Sequence, residues 1–156
     1  AGHGGMSHLC WFNGMNIINI EPSLLPKFYE ERWETYPNIS DVEDGSVDLI
    51  YGSHSLEHVQ DIERSKKEFK RVLKPNGLLF WEVPNADNEK VGSQNGRVDV
   101  PHTYYFKTEF FDKWFSEVLL NKSFEQQSWK KTNIIGNWKE FEESKGVVIR
   151  ALGRID

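Results

Sequence analysis

Apolar runs and amphipathic stretches alternate through the middle of the chain, in an order that predicts strand, helix, strand. Val47-Asp48-Leu49-Ile50-Tyr51 is a short apolar run bounded by Gly45 and Gly52, the pattern of a buried central strand. From Asp61 to Leu73, Ile62, Phe69, Val72 and Leu73 fall on one helical face, while Glu63, Lys67, Lys70 and Arg71 suit the wet side. Asp61 is the expected N-cap. Lys74-Pro75-Asn76-Gly77 should stop this helix, because Pro presets φ, Asn tolerates the next corner and Gly follows. Leu78 to Val83 is the second strand, ended by Pro84. Two strands joined through a helix in this way predict a right-handed βαβ crossover in a parallel sheet.

The flanks are read with the same rules. Met6 to Phe12 is a short helical stretch, Asn13-Gly14 a turn, and Met15 to Ile20 a strand ending in Glu21-Pro22-Ser23. Leu24 to Trp33 fits a helix or an irregular segment, and Arg32 to Tyr36 a short edge strand. Asn85 to Val100 is long and polar, with Gly92 and Gly96; a loop of this length is usually functional or mobile. A helix from Glu109 to Leu119, capped by Thr108, would carry Phe110, Phe111, Trp114, Phe115 and Val118 on a broad apolar face that reads as core. Phe124 to Lys130 and Gly146 to Leu152 read as an antiparallel hairpin at the sheet edge, with Thr132 to Lys145 a loop holding a short helical piece.

Composition narrows the class. The 156 residues are 38% hydrophobic and 28% charged, as expected of one globular domain spanning 1–156. A net charge of −5 without a basic run argues against a nucleic-acid partner. No apolar stretch reaches about 18 residues and no signal-peptide pattern occurs, so neither membrane association nor export is expected. The single Cys10 excludes an internal disulfide framework and fits a reducing cytoplasm. Six Trp and ten Phe are many for this length; they should build the core, and some could line a pocket.

Two groups of residues carry candidate chemistry. Ala1-Gly2-His3-Gly4-Gly5 precedes the first helical stretch, and Glu21 follows about 20 residues later at a strand end, the spacing of a dinucleotide-type fingerprint. Glycines there let the backbone approach a ligand, and the carboxylate accepts hydrogen bonds from two ribose hydroxyls. The plainer reading of the pentapeptide is an added or flexible terminus. His54 and His58 form the second group. Four apart, they would share one face of a helix and, with His102 or Cys10, invite a metal reading. His58 lies at the helix start, however, and no second carboxylate–histidine pattern supports a zinc protease. A histidine packed under the sheet is the preferred reading, and no metal is expected.

DGSVDLIYGSHSLEHV, followed by RVLKPNGLLFWEVPN, resembles the central block of the class I S-adenosylmethionine-dependent methyltransferases, in particular the type 11 group. Three signals coincide: DGSVD entering a strand, LEHV opening the crossover, and RVLKPNG before the next strand. The resemblance implies an α/β, Rossmann-like, mostly parallel sheet with helices on both faces and an antiparallel C-terminal edge hairpin. It implies S-adenosylmethionine as cofactor. Gly2 and Gly4 match the last two glycines of the family's GxGxG loop, and Glu21 its ribose-binding acid. Asp41 and Val42 stand where the family contacts adenine, although a solvated loop would account for them too. Gly52, Ser53 and His54 would lie beside the methionine part of the cofactor, at the strand end where parallel sheets bind ligands. The Asn85–Val100 loop and Pro101–Phe106 resemble the region through which the family's acceptor enters, with His102 facing the cleft.

The reaction so implied is methyl transfer to a small-molecule acceptor. The sulfonium carbon is already electrophilic, so the protein mainly binds, aligns and excludes water. An oxygen acceptor would gain from a general base, and His58 and His102 are the candidates. Two other readings stay open at this point: a non-catalytic member that binds cofactor or a partner, and a metal-dependent hydrolase built on His54, His58 and His102. In the resembled fold the strand before the Gly loop lies between the strand ending at Glu21 and that at Val47–Tyr51, and no residues here correspond to it. The expectation is therefore an N-terminally incomplete domain, with poor cofactor affinity because half the nucleoside cradle depends on that strand and turn.

Overall fold

The computed structural model describes residues 5–22, 33–88, 102–126, 138–140 and 146–156. The chain divides into two compact units, Ala1–Ser46 and Val47–Asp156.

In the first unit, α1 (Gly5–Phe12) is followed by β1 (Ile18–Ile20) and β2 (Glu34–Tyr36), which pair in parallel with Ile18 opposite Glu34. The end of α1 is closed by Asn13, whose Nδ2 donates to the Leu9 carbonyl at 2.8 Å, and by Gly14 at φ +80°. Met15 N–H still reaches back to the Cys10 carbonyl at 3.2 Å. That bond holds Met15 to the helix end, so β1 starts three residues later than the apolar pattern suggests. Ser7 Oγ donates to the buried Asn19 Oδ1 at 2.8 Å, tying α1 to β1. A single 3-10 turn, Ile39–Asp41, is capped by Asn38, whose side chain accepts from Ser40 N–H. The stretch 23–32 lies outside the described residues.

The second unit holds the predicted crossover. β3 (Val47–Ser53) leads through a 3-10 turn (Leu56–His58) into α2 (Ile62–Val72) and then β4 (Leu73–Pro84). Asp61 caps α2 as expected, accepting from the N–H groups of Glu63 and Arg64 at 3.0 Å each. β3 and β4 are parallel, Gly52 lying opposite Trp81 and Ser53 opposite Glu82. The register jumps between Val47↔Leu73 and Leu49↔Leu78, because Lys74–Gly77 loop out with Asn76 at φ +65°.

The remaining strands give the sheet order β3-β4-β7-β5-β6, with α3 (Thr108–Trp114) before β5 (Glu117–Gln126), then β6 (Trp138–Glu140) and β7 (Val148–Arg154). All pairings beyond β4 are antiparallel. The α/β, Rossmann-like class holds, with a mixed sheet whose parallel strands are the N-terminal ones. β7 has an antiparallel neighbour in β5, but the pairing runs over Glu117–Phe124 rather than the expected Phe124–Lys130, and it is not an edge hairpin: β7 inserts between β4 and β5, and β6 takes the outer position. Ile149 and Ala151 are fully buried, as an interior strand requires.

α3 is shorter than the predicted Glu109–Leu119. Phe115 N–H closes the last turn on the Phe111 carbonyl, and Val118 already pairs with Gly153 of β7. Tertiary pairing here overrides helical spacing. The cap differs too, since Lys107 occupies the N-cap without a side-chain bond. β6 stands where a short helical piece was expected. Leu79, Trp81 and Val83 alternate along the buried face of β4, and Phe69 of α2 lies 5.1 Å from the Trp81 ring. Phe111 and Trp114 of α3, with Phe115 at its C-cap, complete this aromatic layer. No helix among the described residues is long and apolar enough to cross a membrane.

Candidate active site

The carboxyl end of β3 gathers the polar side chains of the second unit. Ser53, Glu82 and Arg150 stand in one row across β3, β4 and β7, set there by strand register. Ser53 Oγ donates to Glu82 Oε1 at 3.0 Å and Arg150 Nε donates to Glu82 Oε2 at 2.7 Å. The Arg150 guanidinium also covers the Phe124 ring at 5.0 Å. Gly52 faces the opposite way, toward Trp81.

His54 turns the chain out of the sheet at φ +48°, a left-handed conformation uncommon for a residue with a side chain. Its N–H donates to the Glu82 carbonyl at 2.9 Å, which holds that corner. Its Nδ1 lies 3.5 Å from Glu57 Oε1 and its Nε2 3.9 Å from Glu82 Oε1. The Glu57 carboxylate lifts the His54 imidazole above its ordinary range, partial burial opposes that rise, and Glu82 adds to it.

The 3-10 turn after this corner places Glu57 inward, only 1% exposed, and His58 toward the surface. The backbone carbonyl of Glu57 accepts from Thr103 N–H at 2.8 Å and Tyr104 N–H at 3.1 Å. Tyr104 Oη in turn accepts from Ile62 N–H at 3.2 Å, at the start of α2. These bonds bind residues 102–106 to the turn and bring the His102 ring to 4.9 Å from that of His58. His54 and His58 do not share a helix face, because His54 is itself the left-handed corner that precedes the 3-10 turn carrying His58. Nor are they packed under the sheet, their side chains being 51% and 33% exposed.

Of the residues singled out from sequence, Gly52, Ser53, His54, His58 and His102 therefore belong to one region of the second unit. Glu21 directly follows β1, half-buried, its N–H donating to the Tyr36 carbonyl at 3.0 Å. Asp41 is exposed on the 3-10 turn of the first unit, and Val42 is a core residue, 4% exposed. Gly2, Gly4 and residues 89–101 lie outside the described residues. Sequence reading missed Glu57, Glu82 and Arg150. Glu57 was visible within LEHV, but nothing in its spacing says that it points inward.

A family model for the methyltransferase domain matches residues 2–81, just over half of the chain. This chain belongs to that family. It is an S-adenosylmethionine-dependent methyltransferase, and S-adenosylmethionine is its cofactor. No curated protein matches the sequence. Among solved structures, an S-adenosylmethionine-dependent methyltransferase of Thermotoga maritima, described as a possible histamine N-methyltransferase, is similar with a TM-score of 0.74 at 19% identity. The match covers 98% of this chain and 79% of that one. An Archaeoglobus fulgidus S-adenosylmethionine-dependent methyltransferase is similar with a TM-score of 0.69 at 15% identity, over 96% of this chain and 80% of that one. A Haloferax volcanii methyltransferase, solved in complex with the Trm112 activator, gives 0.68 at 14%, over 98% and 79%. At such identities these likenesses establish the methyltransferase fold.

Proposed function

We propose that this methyltransferase acts on a small-molecule acceptor, with the end of β3 beside the reacting methyl group. The observation that carries the reading is the convergence of Ser53, His54, His58 and His102 at that strand end, tied together through Glu57 and Glu82. The donor set suits the cofactor: Glu21 offers a carboxylate to ribose hydroxyls, and Ser53 and His54 offer polar groups to an amino-acid end. S-adenosylmethionine supplies an electrophilic methyl carbon on a sulfonium.

In this reading Gly2, Gly4 and Glu21 hold the ribose side, Asp41 and Val42 border the adenine, and Gly52, Ser53 and His54 border the methionine part. His102, with the segment that carries it, borders the acceptor. His58 or His102 takes the acceptor's proton if that acceptor is a hydroxyl, a task suited to an imidazole near neutral pH. A cytoplasmic setting belongs to the same reading, on the single Cys10. The test is formation of S-adenosylhomocysteine with a panel of small amines, alcohols and phenols, run beside protein and RNA substrates. Turnover on small acceptors is the expected result. Turnover on the macromolecules alone would overturn the small-acceptor reading.

A further inference from the structure

We propose that Glu57, His58 and His102 form a binding site for a divalent first-row transition metal, which presents an oxygen acceptor to the methyl group. The role toward the acceptor rests on the methyl-transfer reading above; the binding of the ion does not. This departs from the sequence expectation of no metal, because the side chain that changes the picture is Glu57.

Two independent observations point to the site. The first is geometric: one nitrogen from each imidazole and one Glu57 carboxylate oxygen all lie within 4.8 Å of one another. Ligands of a single zinc-like ion, each about 2.1 Å from it, stand about 3.4 Å apart. Small rotations of two partly exposed imidazoles close that gap. The second is the state of the carboxylate. Glu57 is 99% buried, and no described residue donates a hydrogen bond to either of its oxygens. Its nearest described charge partners are imidazoles at ion-pair distance, His54 at 3.5 Å and His58 at 4.0 Å. Two buried carboxylate oxygens without a hydrogen-bond donor are costly unless something compensates them. A bound cation does so directly.

The surroundings favour a preformed site. The bonds from Thr103 and Tyr104 to the Glu57 carbonyl fix the His102 segment on the turn that carries the other two ligands. His54, whose Nδ1 stands 3.5 Å from Oε1, is close enough to orient the carboxylate as an outer partner. Two imidazoles with one carboxylate suit zinc, manganese or iron rather than magnesium or calcium, and three protein ligands leave positions open. With the ion bound, His58 and His102 serve as its ligands in place of the general-base role given to one of them above, and a hydroxyl of the acceptor bound at an open position loses its proton to solvent more readily. The oxygen lone pair then forms the new C–O bond as the C–S bond breaks, and that electron pair stays on sulfur, leaving a neutral thioether.

The test uses chelator-stripped protein titrated with Zn²⁺ by calorimetry and with Co²⁺ by visible absorption. One ion per chain is expected, with a Co²⁺ spectrum showing nitrogen ligation. Glu57→Gln and His102→Asn should weaken Zn²⁺ by about 100-fold or more, beyond what loss of an outer partner does. Cys10→Ser should leave affinity unchanged. In Glu57→Gln the rise in Tm on adding Zn²⁺ should vanish. Absence of saturable binding, parent-like affinity in His102→Asn, or loss of binding in Cys10→Ser would each overturn the site. Zinc binding without S-adenosylhomocysteine binding would uphold the site and refute its role in methyl transfer. Cofactor binding without zinc binding would refute the site and leave the methyl-transfer reading standing.

Discussion

Gly52 offers the sharpest test of how β3 is built. It was singled out beside the cofactor, yet its surroundings give it a packing reason of its own. A Cβ at this position would overlap the edge of the Trp81 ring at Cζ3 and Cε3, and would stand 2.9 Å from Ser55 Oγ. Carbon atoms pack at about 3.5–4.0 Å, so a methyl group here cannot be accommodated without movement. The ring has little freedom to retreat: Trp81 is 4% exposed and lies 5.1 Å from Phe69. β3 would have to shift against β4, where Gly52 pairs with Trp81. Overpacking of this kind costs about 1–3 kcal/mol, and the upper half of that range is expected. For a chain of this size that is a fall in Tm of roughly 4–12 °C. Gly45→Ala is the control, since Gly45 has φ +59° but nothing within 4 Å of its would-be Cβ. It should lose only about 1 kcal/mol, from backbone strain. The assay is thermal unfolding followed by circular dichroism. If Gly52→Ala melts with the parent, or no lower than Gly45→Ala, the contact between Gly52 and Trp81 is not what keeps this position small.

Glu21→Ala should weaken S-adenosylhomocysteine binding by about 1.5–3 kcal/mol, or roughly 10- to 150-fold, through loss of charge-assisted hydrogen bonds; parent-like affinity by calorimetry would remove Glu21 from the cofactor set. Asp61→Ala removes the acceptor for two N–H groups of α2 and should cost about 1 kcal/mol, read as a lower urea midpoint with unchanged slope. Glu82→Gln and Arg150→Ala, singly and together, should show a coupling of about 1–3 kcal/mol, because their 2.7 Å bond is largely shielded from water. Additive effects would show the row across β3, β4 and β7 to be loosely held.

The crossover was legible in the sequence because several local signals agreed on it. Asp61, the apolar face of α2 and the Pro-Asn-Gly corner all specify the same element boundaries. The C-terminal part was less legible. Phe111, Trp114 and Phe115 continue into Val118 with helical spacing, yet Val118 is claimed by pairing with Gly153 some 35 residues on. Such pairing leaves no local trace. The insertion of β7 between β4 and β5 is invisible for the same reason.

The candidate site divides along similar lines. The strand end at Ser53 and His54 was legible in the apolar run before it, while their place beside a cofactor was implied only by the resemblance. The inward turn of Glu57 depends on the left-handed corner at His54, and a histidine in that conformation is not foreseen from its type. β1 and β2 form a two-stranded sheet of their own, and among the described residues β3 pairs only with β4.

Cofactor binding tests the account most directly. Calorimetric titration of S-adenosylhomocysteine into the protein should give saturable binding with one molecule per chain, competed by S-adenosylmethionine. A titration that shows no saturable binding, with the protein folded throughout by circular dichroism, would contradict it.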